Sequence, residues 1–164
     1  MIHLLVGDGK GKTTSAIGMS IRAAGHDYRV LFVQFLKDDS SGEVGVLRKV
    51  PGITVLHAEN DYGFLFQMTQ EQKNEAAREY DALLDKALQS DAFLIVLDEV
   101  IHALNAGLVK KKKLLQVMRK DSEVVLTGRN APEWILKMVD YHSHIRKIKH
   151  PFDRGVEARV GIEF

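Results

Sequence analysis

Short apolar runs alternate along this chain with stretches whose apolar positions recur every three or four residues, the pattern of parallel α/β units. Ile2–Val6 reads as the first strand, followed at once by a glycine-rich loop and a helix from about Thr13 to Ala24. Val30–Phe35 and Ile53–His57 read as the second and third strands. Ala77, Tyr80, Leu83, Leu84, Ala87 and Leu88 fall at helical spacing and predict a long helix from Gln70 to Gln89. Ala92–Leu97 is the most hydrophobic strand, which places it centrally in a sheet covered on both faces. Beyond it the pattern predicts a helix near Leu114–Arg119, a strand over Glu123–Thr127, a helix near Pro132–Val139, and late strands around His144–Lys149 and Ala158–Glu163. Lys37–Gly45 reads as a long polar loop near the C-terminal end of a strand, where ligands bind in open α/β sheets. The expected fold is α/β, a mostly parallel central sheet flanked by helices, with 1–164 forming a single domain.

Composition narrows the function. A 45% hydrophobic and 27% charged chain with net charge +1 has no global basic field for nucleic acid and no acidic tail. With no cysteine, disulfides, thiolate metal sites and a cysteine nucleophile are all excluded. Met1–Val6 is too short an apolar run for a signal peptide, and no stretch approaches a bilayer span. A cytoplasmic protein that binds neither nucleic acid nor membrane is the expectation.

The chemistry-bearing motif is Gly7-Asp8-Gly9-Lys10-Gly11-Lys12-Thr13-Thr14, set between a strand and a helix as a Walker A loop requires. Glycines let consecutive N–H groups turn toward one anion, and the helix adds its positive N-terminal end. Lys12 is expected on the terminal phosphates of ATP and the Thr13 hydroxyl on Mg²⁺. One departure is plain: G-x-x-x-x-G-K-[ST] spacing calls for glycine at position 6, where Val6 stands. The apolar run Leu94-Ile95-Val96-Leu97 ending in Asp98-Glu99 supplies the Walker B carboxylates expected at the metal.

These motifs name a bound group and leave its reaction open. Their order, together with Val33-Gln34-Phe35-Leu36-Lys37, Leu126-Thr127-Gly128-Arg129 and the block from Lys149 to Glu163 (KHPFDRGVEARVGIE), resembles the P-loop class of ATP:corrinoid adenosyltransferases over nearly the whole chain. The resemblance implies a RecA-like P-loop fold and an enzyme that moves the 5′-deoxyadenosyl group of ATP onto the Co(I) of a reduced corrinoid, releasing triphosphate. It implies ATP laid across the loop in the reverse sense to ordinary NTPases, and a homodimer reduced by an electron-donor protein such as a flavodoxin. Lys12, the loop amides, Mg²⁺ and Arg129 would then stabilise the departing triphosphate, with Gln34 a pocket residue. The family's Gly-Phe-x-Trp element matches Gly63-Phe64-Leu65-Phe66, with Phe in place of Trp. Phe64 and Phe66 thereby resemble the aromatics that pack under the corrin and displace its lower ligand, easing reduction. Family members commonly carry an N-terminal extension that helps cover the corrinoid; this chain starts almost at its first strand, so the lid is expected to be missing or supplied by other residues.

Two other readings stay open at this stage: a RecA-like ATPase motor or switch using Glu99 to activate water, and a relative that binds without turnover. Lys110–Lys113 reads as a solvated helix start. His142 and His144 read as surface or strand residues lacking a third metal ligand, and His102 as a local hydrogen-bond partner.

Overall fold

A computed structural model describes residues 1–36, 41–63 and 65–162. Six strands form one sheet: β1 (Ile2–Val6), β2 (Val30–Gln34), β3 (Ile53–Leu56), β4 (Leu94–Asp98), β5 (Glu123–Gly128) and β6 (Tyr141–His144). Their order is β3-β2-β4-β5-β1-β6, and every pairing is parallel. The α/β expectation holds, and β4 lies inside the sheet with all five of its residues buried. Such strands need apolar residues on both faces because helices cover both.

Helices α1 (Lys12–Ala24) and α2 (Gly42–Leu47) cover one face, where Ala16, Ala23 and Leu47 meet Phe32, Val96 and Val125. Small residues at Ala16, Ser20 and Ala23 let α1 approach the sheet closely. The other face carries α3 (Gln70–Gln89), α4 (Val100–Asn105) and α5 (Lys111–Met118), which bury Tyr80, Leu84, Ile101, Leu114 and Val117 against Val33, Ile95, Leu97 and Leu126. The α3 start is set locally: the Thr69 side chain accepts from the Gln72 N–H while the Gln72 side chain accepts from the Thr69 N–H.

Three sequence expectations are corrected. The Lys37–Gly45 loop is in part helical, since α2 begins at Gly42; 37–40 lie outside the described residues. The helix near Pro132–Val139 shrinks to one turn, α6 (Glu133–Leu136). The strand expected at His144–Lys149 is β6, at Tyr141–His144, and no strand forms over residues 158–162. Non-local pairing decided the register of β6. The Asp140 carboxylate accepts the Ile2 N–H at 2.7 Å and β6 aligns His3 with Tyr141, so the polar run forms the strand while the apolar Ile148 lies beyond it.

The lysine run sits at the start of α5, but it is more than a solvated face. Lys113 bridges Asp81 at 2.8 Å and Asp85 at 2.7 Å on α3, Lys110 lies 3.5 Å from Asp81, and Lys111 stands over the Trp134 ring. The hydrogen bond from Lys113 holds the Asp81 carboxyl below its ordinary value of 3.8. A depressed carboxyl pKa stabilises the fold above the unfolded-state value, and that contribution is lost as pH falls through the folded one. Lys113→Met is therefore expected to cost about 1 kcal/mol at pH 7, and to flatten the loss of stability below about pH 4. Urea unfolding of both proteins across that range measures the difference; parallel acid slopes would contradict it.

Candidate functional site

The cleft is built where β1, β4 and β5 end. Between Val6 and Lys12 the chain makes a glycine loop, with Gly7 and Gly11 at φ 126° and 119°. The reason for glycine differs along it. A Cβ at Gly7 would overlap the Ile145 carbonyl, and one at Gly9 would lie 2.8 Å from the Arg146 carbonyl group. After β6 the chain therefore runs directly against the loop's backbone. The Ile145 N–H donates to the Val6 carbonyl at 2.7 Å, the Gly9 N–H to the Ile145 carbonyl at 2.9 Å, and the Lys147 N–H to the Asp8 carboxylate at 3.0 Å. The last contact lowers the Asp8 pKa.

Lys12 opens α1 with its side chain buried, donating from Nζ to the Gly9 carbonyl at 2.8 Å. Burial pushes its pKa down; Glu99, Asp8 and Asp98 act in the opposite sense, and Arg129 adds to the burial effect. An ammonium so desolvated gains strongly from an incoming phosphate.

Asp98 is fully buried at the end of β4. Thr13 Oγ1 donates to its two oxygens at 3.0 and 3.2 Å, and Thr127 Oγ1 from β5 donates to Oδ1 at 2.8 Å. Thr127 in turn accepts the Glu99 N–H at 2.8 Å. Glu99 takes a left-handed conformation, φ 58°, as the N-cap of α4, and its carboxylate lies 3.4 Å from His102 Nδ1. Hydroxyl and carboxylate oxygens suit a hard cation such as Mg²⁺, which completes its shell with phosphate and water.

Lys10, Gly11, Lys12, Thr13, Thr14 and Glu99 line one cleft of about 650 Å³. Gly42, Glu43 and Val46 of α2 close one part of it, and Gly161 and Ile162 another. Lys10 Nζ donates to the Ile162 carbonyl at 2.6 Å, so the C-terminal segment is tied to the loop. Gln34 aligns with Asp98 across the β2–β4 pairing and therefore faces the same side of the sheet. It is fully buried with neither amide atom hydrogen-bonded, a costly state that a ligand or its water would relieve.

The structure sets other expected residues apart. Gly7 belongs, with Asp8, to a neighbouring cleft lined also by His142, His144 and Arg146; a second such cleft includes His150 and Phe152, and Arg129 with Lys147 lines both. Arg129 is absent from the lining of the Lys12 cleft, as is Phe66. Phe66 is 82% exposed on a 3₁₀ turn, Leu65–Gln67, and Phe64 lies outside the described residues. Sequence reading missed Thr127 as the partner of Asp98, although Leu126-Thr127-Gly128 at a strand end was the available signal. It also missed Val46 and Lys147, for which only the folded arrangement supplies one, whereas Glu43 falls in the 37–45 segment expected near ligands.

The family described as ATP:corrinoid adenosyltransferase BtuR/CobO/CobP matches residues 1–164. Among curated proteins, the chain is 34% identical over 164 residues to the corrinoid adenosyltransferase of Pseudomonas aeruginosa, covering 96% of this chain and 80% of the relative. It is 33% identical over 181 residues to the corrinoid adenosyltransferase CobA of Salmonella typhimurium, and 31% over 170 residues to the Escherichia coli corrinoid adenosyltransferase. Both alignments cover all of this chain and 85% of the relative.

Because residues 145–146 leave no room at Gly9, Gly9→Ala is expected to destabilise the fold by about 2 kcal/mol or more and to weaken ATP binding. Gly18→Ala on exposed α1, where a Cβ meets nothing within 4 Å, serves as the control. Thermal unfolding and nucleotide titration of the two variants decide it; a Gly9→Ala protein as stable as the control would contradict the close contact.

Proposed function

This chain belongs to the ATP:corrinoid adenosyltransferase family BtuR/CobO/CobP, and we propose on that basis how its own residues serve the transfer. The enzyme transfers the 5′-deoxyadenosyl group of ATP to the Co(I) of a reduced corrinoid. A Co–C bond forms at C5′ as the C5′–O bond breaks, and the electron pair leaves with triphosphate. The hydrolytic motor reading is not favoured. The observation that carries the residue assignment is that Lys12, Thr13 and Glu99 line one cleft, with Asp98 buried directly beneath it and bonded to Thr13.

In this reading the loop amides of Gly9–Thr14 and the buried Lys12 ammonium grip the triphosphate, with Gly7 and Asp8 shaping the loop behind them. Their worth lies in preorganisation: the charge that grows on the leaving group meets donors already desolvated and fixed. Thr13 and Asp98, with Glu99 beside them, would hold Mg²⁺, which supplies charge neutralisation on the polyphosphate when bound. Gln34, buried in register with Asp98 and outside the lining of the cleft, would turn its unpaired amide to the ligand or its water on binding. Arg129, at the end of β5, adds positive potential from the neighbouring cleft. No protein nucleophile is called for, in keeping with the cysteine-free sequence.

Phe66, with Phe64, is proposed to face the corrinoid and weaken its lower axial ligand. A single domain acting as a cytoplasmic homodimer, with Co(II) reduced by an electron-donor protein such as a flavodoxin, completes the proposal. It rests on the family resemblance, and no helix among the described residues is long and apolar enough to cross a membrane.

Lys12→Ala is expected to lower kcat/KM by at least about a hundredfold, on the scale of losing a preorganised donor. The assay is anaerobic, with ATP and chemically reduced cobalamin, following the disappearance of the Co(I) spectrum and identifying the phosphate product. Triphosphate is expected. Near-normal rates in the variant would refute the role of Lys12, and ADP with orthophosphate would refute transfer.

A further inference from the structure

Two consecutive residues of α3 hold the two loops that lie beyond β2 and β3. The Tyr80 hydroxyl, on a buried side chain, accepts the Leu36 N–H at 3.0 Å. Glu79, half-buried beside it, gathers the segment that leads from β3 toward Phe66. Its Oε1 accepts from Asn60 Nδ2 at 2.5 Å and from the Tyr62 hydroxyl at 2.8 Å, and its Oε2 from the Glu59 N–H at 2.8 Å and the Asn60 N–H at 3.5 Å. One carboxylate thus meets four donors, and such charge-assisted bonds are among the strongest available to a loop. Burial alone would raise the Glu79 pKa, but these donors outweigh it and hold the carboxyl below its ordinary value.

The chain beyond this clamp is equally constrained. The Gly63 N–H donates to Asp61 Oδ1 at 2.8 Å, closing a turn with Gly63 at φ 62°. Tyr62 and Leu65 pack on the main core and Met68 is buried. The capping box at Thr69 then fixes the entry to α3. With the chain held before and behind, the 65–67 turn points Leu65 inward and leaves Phe66 outward.

We propose that Glu79 is a positioning residue for the corrinoid: its carboxylate sets the 59–62 segment and through it the direction in which the 65–67 turn presents Phe66. This rests on the reading that Phe66 faces the corrinoid. It makes Glu79 matter for one substrate only, since the ATP cleft draws on the glycine loop, α2 and the C-terminal segment and on nothing from 59–67.

The test compares Glu79→Ala, Glu79→Gln, Tyr62→Phe and Phe66→Ala by steady-state kinetics with ATP and chemically reduced cobalamin, measuring both KM values and kcat. Glu79→Ala is expected to raise the KM for cob(I)alamin by roughly tenfold, as displacement of a binding element does, with the KM for ATP unchanged within about twofold. Glu79→Gln, which keeps an acceptor oxygen, is expected to recover part of the loss, and Tyr62→Phe to show a smaller rise of the same kind. A Glu79→Ala enzyme with an unaltered KM for cob(I)alamin, or with both KM values rising together, overturns the proposal. Should that variant fail to fold, Glu79→Gln and Tyr62→Phe decide: a rise confined to cob(I)alamin supports the clamp, and its absence from both overturns it. Phe66→Ala separates the two ideas. A raised cob(I)alamin KM there with none in Glu79→Ala leaves the aromatic reading standing and removes the clamp. The reverse removes Phe66 from the corrinoid face and overturns the proposal with it, since Glu79 would then act on the corrinoid through some other group.

Discussion

Asp98 carries a carboxylate into the interior at the end of the central strand, and the site is arranged around making that tolerable. A buried carboxylate is costly unless hydrogen bonds reach it. Here Thr13 comes from the helix that succeeds the glycine loop and Thr127 from the strand between β1 and β4. The same Thr127 oxygen receives the Glu99 N–H, steadying the left-handed turn into α4. Three elements are thereby locked at one point, and the acid that makes the point expensive is the group proposed to attract the cation. Stability and function meet in one cluster.

The glycine loop is shaped from outside as much as from within. Strand β1 delivers it, but residues 145–147 press on its back through two backbone hydrogen bonds and one bond to Asp8. This gives a physical reason for the loop's unusual glycine spacing. Gly7 and Gly9 are small because another segment needs the space, while Gly11, with nothing near its missing Cβ, serves the turn into α1. The C-terminal block of the family thus acts partly as scaffold: Lys147 pairs with Asp153 at 2.7 Å, and the tail returns to Lys10 at Ile162.

In the proposed reading the two substrates draw on separate parts of the sheet's C-terminal rim. The proposed ATP side is polar, built on strand ends and a helix start. The proposed corrinoid side is a loop without regular strand pairing, stabilised by α3 through Glu79 and Tyr80. A large ring system needs an adjustable apolar surface, whereas a leaving polyphosphate needs fixed donors.

Local chemistry wrote much of this protein into its sequence. Strand β1, the loop and α1 were legible because apolar runs, glycines and Gly-Lys-Thr act over a few residues, and α3 was readable to its ends through the spacing of its apolar positions. The buried character of β4 came from its composition. Association over long separations was legible only where two motifs imply one site: the Walker patterns set Thr13 and Asp98, 85 positions apart, at the same cation, but nothing in either neighbourhood adds Thr127 to them. Alternation misled at the C-terminus, where residues 158–162 look like a strand yet leave Val160 81% exposed. The sequence by itself determined the inner strands, α1 and α3, and which groups could meet a phosphate. Tertiary structure alone decided strand order, the path of residues 141–147 over the loop and the clefts that Arg129 faces, because side-chain period reports a face of the sheet and never the identity of the neighbouring strand.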